Sequence, residues 1–169
     1  MATLSILYAT ATSQGFTASA ILSDTSLVTG RAGTPFSNAT LLYVDMLISG
    51  NVKLATGITL NTQFELWIAG NINGASLLTA NCPTAEGAFT PGGGEKTAMQ
   101  LAYYYTVSAT ATANERAVGF GPISIASLYG GTLPQHFNYA VFHNTGVALA
   151  SSTATSHFIT LQGVQYTSA

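Results

Sequence analysis

Short runs of β-branched and aromatic residues recur along this chain, and they constrain its fold more than any other feature of the sequence. Stretches that contain glycine, asparagine or proline, the residues that end strands and form turns, separate these runs. In one run Phe64, Leu66 and Ile68 alternate with other residues, which is the period of a strand. The runs that predict strands are Leu4 to Thr10, Ala39 to Ile48, Gln63 to Ala69, Met99 to Ser108, Ala117 to Ala126, Asn138 to Phe142 and Phe158 to Tyr166.

No segment has the sustained 3.6-residue apolar period that predicts an amphipathic helix. The alanine-rich segments are interleaved with threonine and serine, which favour extended structure or turns. Strands without alternating helices argue against a parallel sheet and favour a sandwich or barrel. We therefore predict an all-β protein with little helix, and specifically a jelly-roll-like antiparallel β-sandwich.

The length of 169 residues fits one domain with a single core. Two glycine-containing stretches, Thr12 to Ser37 and Asn71 to Thr97, interrupt the strand pattern. Neither is flanked by enough sequence for a second core. We therefore predict one domain over residues 1–169. Long loops usually carry function or need a partner to order them. We interpret the two stretches as an extended N-terminal arm over about 1–37 and a long loop over about 71–97.

The chain carries unusually little charge. Charged residues make up 6% of it, against about 25% in ordinary soluble domains. Four basic residues and a net charge of -2 cannot neutralise many phosphates, which argues against nucleic acid and against an anionic membrane as partners. The apolar run Leu41 to Val44 is interrupted by Asp45 and Gly50 long before the roughly 20 residues of a membrane helix. We expect neither a nucleic-acid nor a membrane partner.

Two further features concern the compartment in which the chain is made and the state of its cysteine. The segment Met1 to Tyr8 lacks the positive region and the long apolar core of a secretory signal, so we expect synthesis in a cytoplasm. The single cysteine, Cys82, cannot form an intrachain disulfide and is expected to be a buried, inert thiol.

The sequence contains no pattern typical of a catalytic or metal site. The six acidic residues occur singly, and no serine lies in a Gly-x-Ser-x-Gly elbow. A phosphate loop needs glycine before Lys96, but Glu95 stands there. His136 and His143 fall on opposite faces of one strand, without an acidic residue or cysteine nearby in the sequence. We expect no enzyme activity, no cofactor and no metal.

Aromatic and histidine side chains are the candidate contact residues. Trp67 falls on the otherwise polar face of its predicted strand, where a partner subunit or a covering loop would shelter it. Within Tyr103-Tyr104-Tyr105 adjacent residues point to alternate faces, and we predict one inward and two outward. The predicted interface residues are Trp67, Tyr103, Tyr105, Phe137, His143 and His157.

The C-terminal part of the chain carries a family resemblance. Leu133-Pro134 precedes an apolar strand that leads to Asn144-Thr145-Gly146, and a histidine-bearing strand contains Gln162-Gly163-Val164. These features resemble small virion proteins of tailed bacteriophages. The segment Asn38 to Ile48 is also similar to a strand of those proteins, and the order of the segments agrees.

The resemblance implies a structural role in a virus particle. It implies a capsid decoration, or cement, protein that forms a homotrimer on the outer capsid surface, with the major capsid protein of the phage as its partner. The composition suits this role, because a neutral surface of serine, threonine and alanine can be desolvated against neighbours without stranding unpaired charges.

Two other functions remain open at this point. A protein associated with the tail, collar or fibre of a virion would have the same composition and fold. A carbohydrate-binding β-sandwich module would instead present a flat aromatic face that includes Trp67 and either Tyr103 or Tyr105.

Overall fold

The computed structural model describes residues 4–14, 17, 21–71, 85–92, 96–108, 115–150 and 157–168. The structure is 54% strand and 4% helix, which confirms the all-β prediction. The elements are β1 (Leu4–Tyr8), β2 (Thr12–Gln14), β3 (Gly30–Ala32), β4 (Phe36–Ser37), β5 (Asp45–Leu54), β6 (Gln63–Asn71), β7 (Gly87–Phe89), β8 (Met99–Thr106), β9 (Arg116–Ser124), the short helix α1 (Ile125–Leu128), β10 (His136–His143) and β11 (Phe158–Ser168).

The strands form two antiparallel sheets. The first has the order β1-β11-β5-β9, with β2 also paired to β11, and the second has the order β7-β3-β10-β6-β8, with β4 also paired to β10. The pairing is nested along the chain: β1 and β2 pair with β11, β3 and β4 with β10, β5 with β9, and β6 with β8. Nested antiparallel pairs wound across two sheets are the architecture of a jelly roll, as predicted.

The main core lies between the sheets. Every second residue of β5 is buried, including Met46, Ile48 and Val52, because alternate side chains of a strand point to the same face. Strand β10 lies between other strands and is buried on both faces: Phe137 joins the main core, whereas Phe142 belongs to a smaller apolar cluster on the outer face of the second sheet. Burial of each such side chain stabilises the fold by about 1.5–3 kcal/mol.

One predicted strand begins in the wrong place. Strand β5 starts at Asp45 rather than at Ala39, and the residues between them form a turn and its exit. The Asn38 side chain causes this turn: it accepts a hydrogen bond from the Tyr43 N–H and donates one to the Tyr43 carbonyl, both at 2.9 Å. Leu42 then adopts φ 53°, a left-handed conformation that a strand does not contain.

The predicted arm and the predicted long loop both contribute strands to the sheets. Strands β3 and β4 pair with β10, so an extended arm is the wrong description of residues 30–37. Strand β7, within the predicted loop, pairs with β3. Residues 72–84, which include Cys82, and residues 93–95 lie outside the described residues. Of the predicted arm, β1 is the strand that is exposed at every position.

Candidate functional site: an apolar surface at the terminal strands

Strands β1 and β11 continue together beyond the first sheet. Strand β5 pairs with β11 only as far as Val164, opposite Asp45. From that point β11 pairs with β1 in an unbroken register, from Tyr8 opposite Val164 to Leu4 opposite Ser168. We call residues 4–8 and 164–168 the terminal ribbon, which is two strands wide in the part of the chain that the structure describes.

The terminal ribbon has one apolar face. Directly opposed residues of an antiparallel pair lie on the same face, so Ile6 lies beside Tyr166, and Tyr8 beside Val164. Leu4 is on this face as well, because residues two apart on a strand point to the same side and Leu4 lies two residues before Ile6. Leu4, Ile6, Tyr8 and Tyr166 are between 56% and 66% exposed. The ribbon contains no charged residue and therefore offers an extended apolar contact surface.

A second group of exposed apolar residues lies beside the ribbon, in the turn that precedes β5. The Val44 N–H donates a hydrogen bond to the Val164 carbonyl at 2.8 Å, which places this turn where the ribbon leaves the sheet. Leu41, Leu42 and Val44 are all exposed, and Leu42 is the most exposed of the three at 74%. We call residues 38–44 the Asn38 loop.

Hydrogen bonds from Asn38 and packing of Tyr43 fix the conformation of the Asn38 loop. Asn38 is buried and brackets the Tyr43 backbone with its two hydrogen bonds. The Tyr43 ring packs over Gly163 of β11 so closely that a Cβ at Gly163 would lie 2.4–2.6 Å from three of its carbons. These contacts hold Leu42 in a left-handed conformation that costs a non-glycine residue about 1–2 kcal/mol. The loop thus presents the exposed Leu42 side chain on a backbone that is strained and held in one conformation.

The two segments adjoin where Val44 is hydrogen-bonded to Val164, and we call them together the terminal apolar surface. Of the thirteen large hydrophobic side chains that are exposed among the described residues, eight lie in these two segments. Neither segment contains an acid or base, so the surface has no groups for proton transfer or metal binding. Its chemistry is burial of apolar area against another surface.

Three of the predicted interface residues lie inside the protein. Phe137 and His143 are fully buried on β10 and His157 is buried ahead of β11, so the prediction of a surface contact is wrong for them. Phe137 packs against Phe36 with ring centroids 5.0 Å apart. The His157 Nε2 is 2.7 Å from the Ala150 carbonyl oxygen. The sequence predicted strands next to these residues, but not that neighbouring elements cover both faces.

The other three predicted interface residues do not share a face. Tyr103 and Tyr105 both pack toward the main core, and Tyr104 is the exposed member of the run, so the predicted arrangement of one inward and two outward is wrong. Trp67 belongs to the cluster on the opposite face of the sheet and donates a hydrogen bond from Nε1 to Glu65 Oε2 at 2.7 Å. The flat aromatic face of a carbohydrate-binding module is therefore not assembled from these residues.

The histidines show no metal geometry. His136 and His143 stand at opposite ends of β10. The His143 Nδ1 is 3.0 Å from Thr145 Oγ1, and its Nε2 is 3.4 Å from the Ile21 carbonyl oxygen. Among the described residues, no group of three histidine, cysteine or acidic side chains is placed to hold a metal ion. Burial lowers the pKa of His143 below its ordinary value of 6.5, and the hydrogen bond to Ile21 opposes this shift.

We expect the free energy of unfolding to fall as the pH is lowered below about 6.5. Because the folded state binds the His143 proton more weakly than the unfolded state, stability is fully present above the unfolded pKa and is lost as the pH falls toward the folded pKa. The slope from one histidine reaches at most about 1.4 kcal/mol per pH unit. Urea unfolding of the wild type and of His143→Gln across this range measures it. An unchanged slope in His143→Gln, or the same loss of slope in His136→Gln, would contradict the assignment.

Comparisons with known proteins do not identify a family. No protein-family model matches the chain, and neither a curated protein nor a solved structure was found to be similar to it. No helix among the described residues is long and apolar enough to cross a membrane. What the protein does is therefore inferred from the terminal apolar surface itself.

Proposed function

We propose that this protein is a capsid decoration, or cement, protein that binds the major capsid protein on the outer surface of a phage head as a homotrimer. The terminal apolar surface is the observation that carries the proposal. The largest exposed apolar patch of a soluble protein is often functional, and larger patches mark interaction sites. A jelly roll is compatible with this role, because the architecture occurs in viral capsid proteins as well as in lectins.

Apolar attachment suits a chain with so few charges. Since neither the ribbon nor the Asn38 loop contains a charged residue, covering them leaves no ion buried without a partner. Full burial of one leucine or isoleucine side chain contributes about 1.5–3 kcal/mol, from which the cost of association is subtracted. A few such contacts per copy, repeated over a shell, would hold adjacent capsid subunits together.

We assign the capsid contact to the Asn38 loop. Leu42 projects from a backbone that Asn38 and Tyr43 already hold in place, so little further conformational freedom is lost when the leucine is buried. The complementary feature on the major capsid protein would be an apolar recess that accepts this side chain.

Co-sedimentation with capsids stripped of minor proteins tests the proposal. Purified protein should bind until saturation at a copy number proportional to the number of capsid subunits. No binding would contradict the decoration role. Binding of only a few copies per particle would also contradict it, and would indicate a position at the tail or collar.

Replacing Leu42 with asparagine is expected to separate attachment from stability. Asparagine tolerates the left-handed conformation better than leucine, so the free energy of unfolding should stay constant or rise. Loss of one buried leucine, about 1.5–3 kcal/mol, should weaken capsid binding by roughly ten- to hundredfold. Binding is measured by co-sedimentation titration, and stability by urea unfolding.

Leu60→Asn is the matched control for this variant. Leu60 is an exposed leucine in the turn between β5 and β6, outside the terminal apolar surface. Its replacement should leave capsid binding unchanged. Equal binding by Leu42→Asn and the wild type, or an equal loss in Leu60→Asn, would show that the Asn38 loop is not the contact.

A further inference from the structure

We propose that the terminal ribbon is the surface through which copies of this chain associate, the apolar face of one ribbon being buried against the ribbon of a second copy. The inference rests in part on the proposed function, because it names the contact that would build the proposed homotrimer. It does not require the capsid, since association would occur in the isolated protein.

The ribbon has open edges that invite another strand. Within the described residues, β1 pairs with β11 alone, and β11 has no strand beyond Val164 on the side away from β1. Two strands without a covering layer are marginally stable in water. Edge strands are usually protected by lysine, proline or a bulge. Strand β1, with the sequence Leu-Ser-Ile-Leu-Tyr and an unbroken register, has none of these.

The composition of the ribbon favours a second copy over a foreign protein as its occupant. A surface that meets itself must avoid like-charge contacts, and the ribbon carries no charge of either sign. The same absence leaves nothing with which a charged partner could be selected. Tyr166, directly opposite Ile6, and Tyr8, two residues further along β1, belong to a residue type that is enriched among interface hot spots.

The exposed area is consistent with an interface that includes backbone pairing. The largest apolar patch on a typical monomer covers about 300–600 Å², and a stable interface buries about 800 Å² on each partner. Four side chains on this face are more than half exposed, and their burial would supply only part of the area that a stable interface needs. Pairing at the free edge of β1 would bury further area, including Leu7, which is exposed on the other face of the ribbon.

Light scattering on the purified full chain, without capsids, measures this association. The wild type should have a mass of at least twice 17.4 kDa, and three times that value if it is the proposed trimer. Ile6→Lys should give a single-chain mass at the same concentration, because each contact would then bury an unpaired charge. Tyr166→Lys places the same charge on the other strand of the ribbon and should have the same effect. Leu22→Lys, which adds a lysine at an exposed leucine outside the ribbon, should keep the wild-type mass.

Each outcome bears on the proposal. A monomeric wild type would overturn it, as would Ile6→Lys and Tyr166→Lys proteins that keep the wild-type mass. Because Ile6 and Tyr166 are exposed, both variants should retain the wild-type circular dichroism spectrum. A single-chain mass supports the proposal when the variant that shows it also retains this spectrum. A ribbon-dependent oligomer that does not bind capsids would overturn the decoration role alone, whereas a monomer that binds capsids would overturn only the association.

Discussion

Replacing Glu65 with alanine is expected to lower the free energy of unfolding by about 3–5 kcal/mol. Glu65 is only 9% exposed, on the outer face of the second sheet. Its Oε2 accepts hydrogen bonds from the Trp67 Nε1 at 2.7 Å and from the Lys96 Nζ at 2.6 Å. Truncation leaves the Lys96 ammonium without its counter-charge, 4.0 Å from the centroid of the Phe142 ring. The aromatic face attracts the ammonium, but does not replace a carboxylate.

The effect is large because both charges are removed from water. The side chains of Lys96 and Glu65 are 13% and 12% exposed. Lys96 lies in the segment between β7 and β8, so the ion pair fixes this segment over the small apolar cluster that contains Phe142. Loss of Glu65 would favour release of the lysine to solvent and exposure of the cluster.

The double variant Glu65→Leu/Lys96→Met distinguishes the pair from either charge alone. It removes both ions together and should be within about 1–2 kcal/mol of the wild type, since apolar replacements of buried ion pairs are often close to neutral. Glu115→Ala is the matched control. The Glu115 pair with Lys53 is about one-third exposed on both sides, and its loss should cost less than about 1 kcal/mol. Urea unfolding that gave Glu65→Ala and Glu115→Ala the same stability would refute the assignment.

Glu65 also shows what the local sequence could not indicate. Its alternation with Phe64 and Leu66 predicted the strand correctly and placed Glu65 on the otherwise polar face that also carries Trp67. The face is covered by a segment that returns along the chain to place Lys96 against it, and such a distant contact leaves no periodic signal. Propensity and period therefore predicted the long strands and the fold class, but not which polar residues are buried.

The missed strands have the same physical origin. Gly30–Ala32 and Phe36–Ser37 are too short to show a period, and they are strands because β10 lies beside them.

The candidate site was only half predictable for a related reason. Leu4 to Thr10 was predicted as a strand, but its exposure follows from the point at which β5 leaves β11, which is set by pairing rather than by composition.

Replacing Gly163 with valine is expected to weaken the fold and the proposed capsid attachment together. Gly163 is buried on β11 beneath the Tyr43 ring, and any Cβ there would overlap that ring. Overpacking of this kind typically costs about 1–3 kcal/mol. Because Tyr43 is also held by Asn38, its displacement should release Leu42 from its fixed conformation. We expect capsid binding to weaken at least about tenfold, which corresponds to loss of one leucine contact.

Gly119→Val is the control for an added side chain on a strand, because a Cβ at Gly119 of β9 makes only ordinary contacts, the nearest at 3.9 Å. It should change the stability by less than about 0.5 kcal/mol, as exposed substitutions usually do, and leave capsid binding intact. The double variant Gly163→Val/Tyr43→Ala removes the overlap and should recover part of the stability. It should not recover binding, because the loop then lacks the ring that restrains it. Recovery of both in parallel would mean that Tyr43 contributes only packing, and that Leu42 does not depend on it for its conformation.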